Sequence, residues 1–264
     1  MLLLLLVTSP ACRTLSYPAD GGPVYRGDSG VASDTDPRLR IVSYNIAYAQ
    51  HVDLALEALT KPPLANADIL GLQEMDAPAV EAIAHRLGYA WAYFPVTVHP
   101  KTGRDFGNAL LSPWPIRNVR KLMLPHKSLI YNQSRAATVA DIEVAGRMLR
   151  VYSTHLGAPL GTSSGKRRDQ ADTILADARG TSLPVIILGD FNSKSVAQQI
   201  AAQGYTWVTE RIAPTTKRFH FDHILTRGLS EAARAEAGTW TGGPRASDHH
   251  PIWALFPAPN PTTP

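Results

Sequence analysis

Six apolar, β-rich runs in this 264-residue chain each carry a charged or amide side chain at one end. Ile41-Val42-Ser43-Tyr44 leads to Asn45, and Ile69-Leu70-Gly71-Leu72-Gln73 leads to Glu74. Val151-Tyr152-Ser153-Thr154 stops at His155, and Val185-Ile186-Ile187-Leu188-Gly189 runs into Asp190-Phe191-Asn192. Asp222 opens His223-Ile224-Leu225, and Asp248-His249 stand just before Pro251 and a last strand. Strand ends are rigid places from which side chains can converge. The pattern therefore predicts sheets whose ends share one polar site.

Helical stretches lie between these runs. Val52–Leu59 reads as a helix stopped by Pro62 and Pro63. Pro78–Leu87 sets Val80, Ile83, Ala84 and Leu87 on one face, and Lys166–Arg179 does so with Ala171, Ile174, Leu175 and Ala178. Asn108–Ser112 and Ile252–Phe256 read as strands. Thr138–Val144 and Met148–Thr154 form a hairpin around Ala145-Gly146-Arg147. Hairpins mixed with helical crossovers place the helices outside the sheets, an α/β (α+β) class. An apolar fraction of 44% against 18% charged supports a sizeable core. No apolar run approaches the roughly 20 residues of a membrane-spanning helix. A net charge of +4 admits an anionic substrate without requiring nucleic acid.

One cysteine excludes an intrachain disulfide. Cys12 follows Met1, five leucines, Val7, Thr8, Ser9, Pro10 and Ala11, which resembles a bacterial lipoprotein signal. The expected organisation is a leader over 1–12 with a lipid anchor at Cys12, a flexible tether over 13–37, one domain over 38–257, and a disordered tail over 258–264. The expected location is the cell envelope.

Singly, each polar strand end has a plain reading. Asp or Asn after a strand serves turns and helix caps, Glu74 reads as a solvated edge charge, and His155 as a packed, hydrogen-bonded ring. Together they suit phosphate-ester chemistry. Carboxylate and amide oxygens from Glu74 and Asn45 suit a hard cation such as Mg²⁺. Asp190 could orient or deprotonate water, while Asn192, Asn108 and His155 could donate to phosphate oxygens. His249, held by a carboxylate, would add an acid/base or phosphate-binding group.

These motifs resemble the DNase-I-like endonuclease/exonuclease/phosphatase superfamily. In order they are S-Y-N-I at Asn45, L-Q-E at Glu74, G-N-A-L-L-S at Asn108, S-T-H-L at His155, G-D-F-N at Asp190 and Asn192, D-H-I-L at Asp222, and S-D-H-H-P at Asp248 and His249. The resemblance covers residues 38–256. It implies a four-layered α/β/β/α sandwich with two mixed β-sheets face to face, and a Mg²⁺- or Mn²⁺-dependent phosphoesterase. Glu74 would be the main metal ligand, helped by Asn45 and Asp248. Asp190 would activate water, positioned with Asn192. His155 would bind phosphate, and Asp222 would fix His249. Asn108 and Arg135 would bind substrate, with a structural salt bridge the rival reading for Arg135.

Asp248-His249-His250 also spells the D-H-H of a two-metal phosphoesterase family, but that motif sits early in its chains and here it is nearly C-terminal. No H-x-x-x-H or cysteine pair suggests zinc. Arg117, Arg120, Lys121, Lys127, Arg135, Lys166, Arg167 and Arg168 give a basic middle region, read as solvated surface or as attraction for nucleic acid or anionic lipid. Trp91, Tyr93 and Phe94 read as core, whereas His99 and Trp114 could stack bases or touch lipid. The expected substrate is a phosphodiester: nucleic acid, a phospholipid head group or a small diester. The alternatives are an inositol-phosphate type of monoesterase and a non-catalytic lipoprotein that binds a phosphorylated ligand. A monomer is expected.

Overall fold

The computed structural model describes residues 15–18, 21–28, 36–99 and 102–258. In chain order its elements are β1 (Tyr25–Gly27), β2 (Leu39–Asn45), α1 (Val52–Leu59), β3 (Ile69–Met75), α2 (Ala77–Leu87), β4 (Ala90–Val98), β5 (Asp105–Ser112), β6 (Ile116–Leu124), β7 (Arg135–Val144), β8 (Arg147–His155), α3 (Ser164–Ala178), β9 (Val185–Asp190), α4 (Lys194–Ala201), β10 (Thr206–Trp207), β11 (Asp222–Arg227), β12 (Glu236–Thr239) and β13 (Ile252–Phe256). One sheet runs β1-β4-β5-β3-β2-β13-β12 and the other β10-β11-β9-β8-β7-β6. Both are mixed: β2 and β3 are parallel, as are β8 and β9, and the remaining pairs are antiparallel.

The strands are apolar on both faces, and the alternation of side chains across a strand builds three apolar layers. Ile41, Ile69 and Leu110 meet Val151, Ile186, Leu188 and Ile224 between the sheets. Their chain neighbours Val42, Leu70 and Leu111 turn outward onto Ala55, Leu59, Val80 and Ile83 of α1 and α2. Tyr152, Ile187 and Leu225 turn outward onto Ala171, Ile174, Leu175 and Ile200 of α3 and α4. This is the expected α/β/β/α sandwich. Local signals agree with it. Asp76 caps α2 through Ala79 N–H at 2.9 Å, Pro78 sits in its first turn, and Gly88 closes it in the left-handed region. Ala145 and Gly146, both with positive φ, turn the β7–β8 hairpin.

Three expectations change. The expected tether is partly packed. Ser16 bridges Thr97, and β1 pairs with β4 at the sheet edge. The Lys121 ammonium holds the carbonyls of Pro18 and Gly21 at 2.7 Å each. Part of the basic middle region is taken up in pairing on β6, the other sheet's edge, while Lys127 and Arg168 are exposed. Arg117 meets Glu143, Arg120 meets Asp177, and the buried Arg167 donates to Thr162 O at 2.6 Å. Charges on an edge strand discourage pairing with other chains. Trp114 is not a free stacking surface: its indole N–H donates to Asp68 at 2.8 Å. Cys12, the leader and residues 259–264 of the expected tail lie outside the described residues.

Candidate active site

The C-terminal ends of the two parallel strand pairs lie side by side, one pair from each sheet. β2 ends at Asn45 and β3 carries Glu74, while β8 ends at His155 and β9 at Asp190, paired in register with His155. Asp222, the first residue of β11, pairs with Asp190 from the other side. His249 arrives on the loop before β13.

Two backbone irregularities aim these carboxylates. β3 bulges between Leu72 and Met75, and Glu74 within it has φ of 59°. A bulge re-aims a side chain at a strand end, and a left-handed non-glycine residue there is strained. On β9, Gly189 has φ of 135°, and a Cβ there would meet Thr154 O at 1.9 Å. Only glycine lets β8 and β9 approach closely enough at that register.

The Asn45 amide joins the two sheets. Its Nδ2 donates to Glu74 Oε1 at 3.2 Å and to Asp190 Oδ2 at 3.0 Å, and its Oδ1 accepts Ala47 N–H at 3.1 Å. His155 lies between the same carboxylates, 3.7 Å from Glu74 and 3.4 Å from Asp190. Burial holds His155 neutral, well below the usual imidazole range, and nearby Arg135 and His249 push the same way. Asp190 Oδ1 accepts Asn192 N–H at 2.8 Å. Burial, with Asp222 and Glu74 beside it, raises Asp190 to about 7 against the opposing pull of His249. Glu74 is raised chiefly by burial.

Asp222 Oδ2 accepts from His249 Nδ1 at 2.7 Å, and His249 Nε2 faces Asp190 Oδ2 at 3.7 Å. Burial alone would lower His249. The carboxylates of Asp222 and Asp190 overcome it and raise the ring to about 10. The fixed tautomer and the aimed Nε2–H make it a hydrogen-bond donor towards the cavity.

The cavity above these groups is about 680 Å³, lined by Glu74, Arg135, His155, Asp190, Asn192, Asp248 and His249 among others. Arg135 is buried with Nε and Nη1 unpartnered, and its guanidinium lies over the Phe106 ring at 5.4 Å. Among the described residues it forms no salt bridge, the rival reading of this side chain. A buried guanidinium with free N–H groups beside a cavity suits an anion. Asn192 donates to Leu156 O at 3.2 Å while lining the same cavity. Asn108 departs from expectation: its Nδ2 donates to Ala136 O at 2.8 Å, bridging the two sheets, and it does not line the cavity.

Sequence reasoning named His99 but missed Tyr48 and Phe106, which complete an aromatic wall with it. Tyr48 packs on His99 with ring centroids 4.3 Å apart and planes tilted by 41°, and Phe106 lies 5.7 Å from both and 5.8 Å from His155. Ala47, Tyr48 and Ala49 are three consecutive non-glycine residues with positive φ, starting two residues after Asn45. No turn residue flags that strain; proximity to Asn45 was the available clue.

The donor set fits a divalent cation in two overlapping ways. Asp190, Asp222 and His249 place one ligand atom each within 4.8 Å of one another. In that group the Asp222–His249 hydrogen bond engages Oδ2 and Nδ1, which leaves Asp222 Oδ1 and His249 Nε2. The Glu74 carboxylate accepts from the Asn45 amide, and Asn45 Oδ1 keeps a second lone pair. Asp248 lines the same cavity and is exposed. All-oxygen donors suit Mg²⁺ or Mn²⁺ better than the histidine group does.

The model of the Endonuclease/Exonuclease/phosphatase family matches residues 42–249. The chain belongs to this family. Membership makes it a phosphoester hydrolase. Among curated proteins it is 28% identical to rat nocturnin over 140 residues, 48% of this chain and 33% of that protein. It therefore spans about a third of the length of the nocturnin. It is also 28% identical over 278 residues to a UPF0294 protein of Vibrio cholerae, covering 94% of this chain and 89% of that protein. Among solved structures, the human nocturnin catalytic domain with bound sulfate superposes with a TM-score of 0.66 at 23% identity, covering 84% of this chain and 95% of that one. Danio rerio TDP2 complexed with a single-stranded DNA product gives 0.65 at 18%, covering 84% and 99%. A mannosyl-6-phosphatase of Bacteroides thetaiotaomicron gives 0.61 at 17%, covering 83% and 99%. These structures share the fold.

Proposed function

We propose that this protein is a divalent-metal-dependent phosphodiesterase acting by attack of an activated water. The observation that carries the reading is the Asp222–His249 pair aimed at Asp190 across a cavity that also holds Glu74, His155 and an unpartnered Arg135. Arg135 and the neutral His155 would hold phosphate oxygens. Asp190, raised near the working pH, is suited to take a proton from water, with Asn192 and Asn45 holding its carboxylate and the water. His249, kept protonated by Asp222, is a poor base, so it is assigned as the donor that stabilises charge on the phosphoryl oxygen. A Mg²⁺ or Mn²⁺ ion held by Glu74, Asn45 and Asp248 would supply Lewis-acid polarisation of the phosphoryl group.

Two hollows favour a diester. Beyond Tyr48, Arg245 and Asp248, which belong to both, the cleft continues into a second hollow of about 470 Å³. A phosphate at the carboxylates thus has room for a substituent on either side. A cell-envelope location is part of the proposal, because the residues before Cys12 resemble a lipoprotein signal.

The test is hydrolysis of bis-p-nitrophenyl phosphate and p-nitrophenyl phosphate with Mg²⁺, Mn²⁺ or EDTA. Metal-dependent cleavage of the diester, lost in His249→Ala and Asp190→Asn, supports the reading. Preference for the monoester would make it a phosphatase. Equal activity of the variants and wild type would remove these residues from the mechanism. Tight binding of inorganic phosphate without turnover would favour a binding role.

A further inference from the structure

Large exposed apolar side chains are concentrated at the mouth of the cavity. Ile130, Tyr131, Leu160 and Phe219 line it while remaining 57%, 41%, 90% and 56% exposed. Leu129, 78% exposed, belongs to the same rim, because its N–H donates to Gly161 O at 2.8 Å and ties the two loops together. Across the mouth, Phe219 stacks on Phe221 at 5.0 Å, on a loop that also presents the exposed Lys217 and Arg218. The N-terminal segment joins this face: Ser16 Oγ reaches Asn132 O at 3.5 Å, beside the exposed Leu15.

Apolar tips gathered in one place on a soluble surface mark a contact site. Leucine and isoleucine offer no π-face, so they do not serve as base-stacking platforms. Aliphatic tips flanked by cations suit the boundary between acyl chains and anionic head groups. The polar site lies below the rim, where a phosphate at head-group depth would meet Arg135 and His155. We infer that this rim docks on an anionic bilayer, so that the cavity takes the phosphoester of a lipid head group in that surface. The docking stands on the rim; the cleavage rests on the proposed phosphodiesterase activity.

The test uses the full chain with Cys12→Ser and Leu129→Cys, labelled at position 129 with nitrobenzoxadiazole. Vesicles are phosphatidylcholine alone or with phosphatidylglycerol. The expected result is brighter, blue-shifted emission with phosphatidylglycerol vesicles and a weaker response to phosphatidylcholine. A label at Ser182→Cys, beyond the far end of the 15-residue α3 that starts beside this rim, should not respond. Leu160→Asp and Phe219→Asp should each weaken the vesicle response roughly tenfold, the loss expected for one buried aliphatic or aromatic side chain. Unchanged emission with both vesicles overturns the inference. So does a response that survives both substitutions, because the leader alone would then hold the membrane. A response to single-stranded DNA and not to vesicles would make the rim a nucleic-acid surface. Bis-p-nitrophenyl phosphate hydrolysis is followed on the same samples. Hydrolysis without docking sinks the docking alone, and docking without hydrolysis sinks the phosphodiesterase reading alone.

Discussion

Two buried histidines flank Asp222 in opposite charge states. His249, in the site, is raised to about 10, whereas His223, the next residue along β11, is lowered to about 4. Both lose hydration. Neighbouring side chains in a strand face opposite ways, so the Asp222 carboxylate turns to His249 at the sheet ends while His223 packs under α4 against Phe191 and Trp207. Asp222 raises both rings, but at His223 burial dominates, and at His249 the added Asp190 carboxylate and the direct hydrogen bond reverse the balance. Burial lowers both rings, and the sign of each shift depends on whether the carboxylates around it outweigh that burial. One aspartate thus divides a charged cavity floor from an uncharged packed layer.

The largest expected effect removes that division. Asp222→Asn should lower kcat roughly 10²- to 10⁴-fold, the range for a lost acid–base partner, with the fold retained by circular dichroism. Wild-type activity should persist into alkaline solution until His249 loses its proton towards pH 10, and the variant's alkaline limb should move towards neutrality. An unmoved limb would mean that Asp222 does not govern His249.

Next in size is Gly189→Ala, which tests whether the backbone or the side chains place the site. The methyl group would meet Thr154 O at 1.9 Å in a conformation with φ of 135°, so the expected loss is about 3 kcal/mol in urea unfolding, together with most activity. Gly204→Ala is the control. It also has positive φ, but nothing lies near its added methyl, and about 1 kcal/mol is expected there. Equal losses would show that close approach of β8 and β9 is not the constraint.

His223 sharpens the other side of the comparison. Its folded value lies near 4, below the 6.5 expected when unfolded, so the unfolded chain binds the extra proton. The associated stability is complete above pH 6.5 and is lost as pH falls towards 4, with about 2 kcal/mol gone by pH 5. His155 contributes with the same sign. The difference between wild type and His223→Phe, followed by urea midpoint from pH 7.5 to 5, isolates His223. Parallel curves for the two proteins would refute its buried neutral state.

What was legible in the sequence follows from periodicity and chemistry. Strands with a face in each of two apolar layers, such as β2, β3 and β9, read as continuous apolar runs, and their polar ends did collect around one cavity. β6 did not read as a strand because Arg117, Asn118, Arg120 and Lys121 protect an edge, and charge hides the alternation. β1 and the Ser16 bridge lay in a glycine- and proline-rich segment whose pairing is decided by the partner, β4. The Glu74 bulge has no signature in a period-two pattern. The apolar rim lies in loops far apart in the chain, and only the fold shows that residues 129–131, 160 and 219 face one mouth.

Asn108 carries the smallest expected effect, and it tests the resemblance against the structure. Family motif would put its amide on substrate, whereas the structure spends one N–H on Ala136 O and leaves its backbone carbonyl to Thr138 Oγ1 at 2.7 Å. A clamp between two sheets predicts that Asn108→Ala loses between about 1 and 2 kcal/mol, because a buried carbonyl is left unpaired. KM for bis-p-nitrophenyl phosphate should stay near the wild-type value, with any fall in kcat recovered at lower temperature where the folded fraction is restored. Asn108→Asp separates the readings further. It removes the N–H donor and sets a carboxylate oxygen against the Ala136 carbonyl, so a clamp predicts a larger stability loss than alanine. A substrate ligand instead predicts a rise in KM from alanine alone, with unfolding unchanged, and that outcome would return Asn108 to the site.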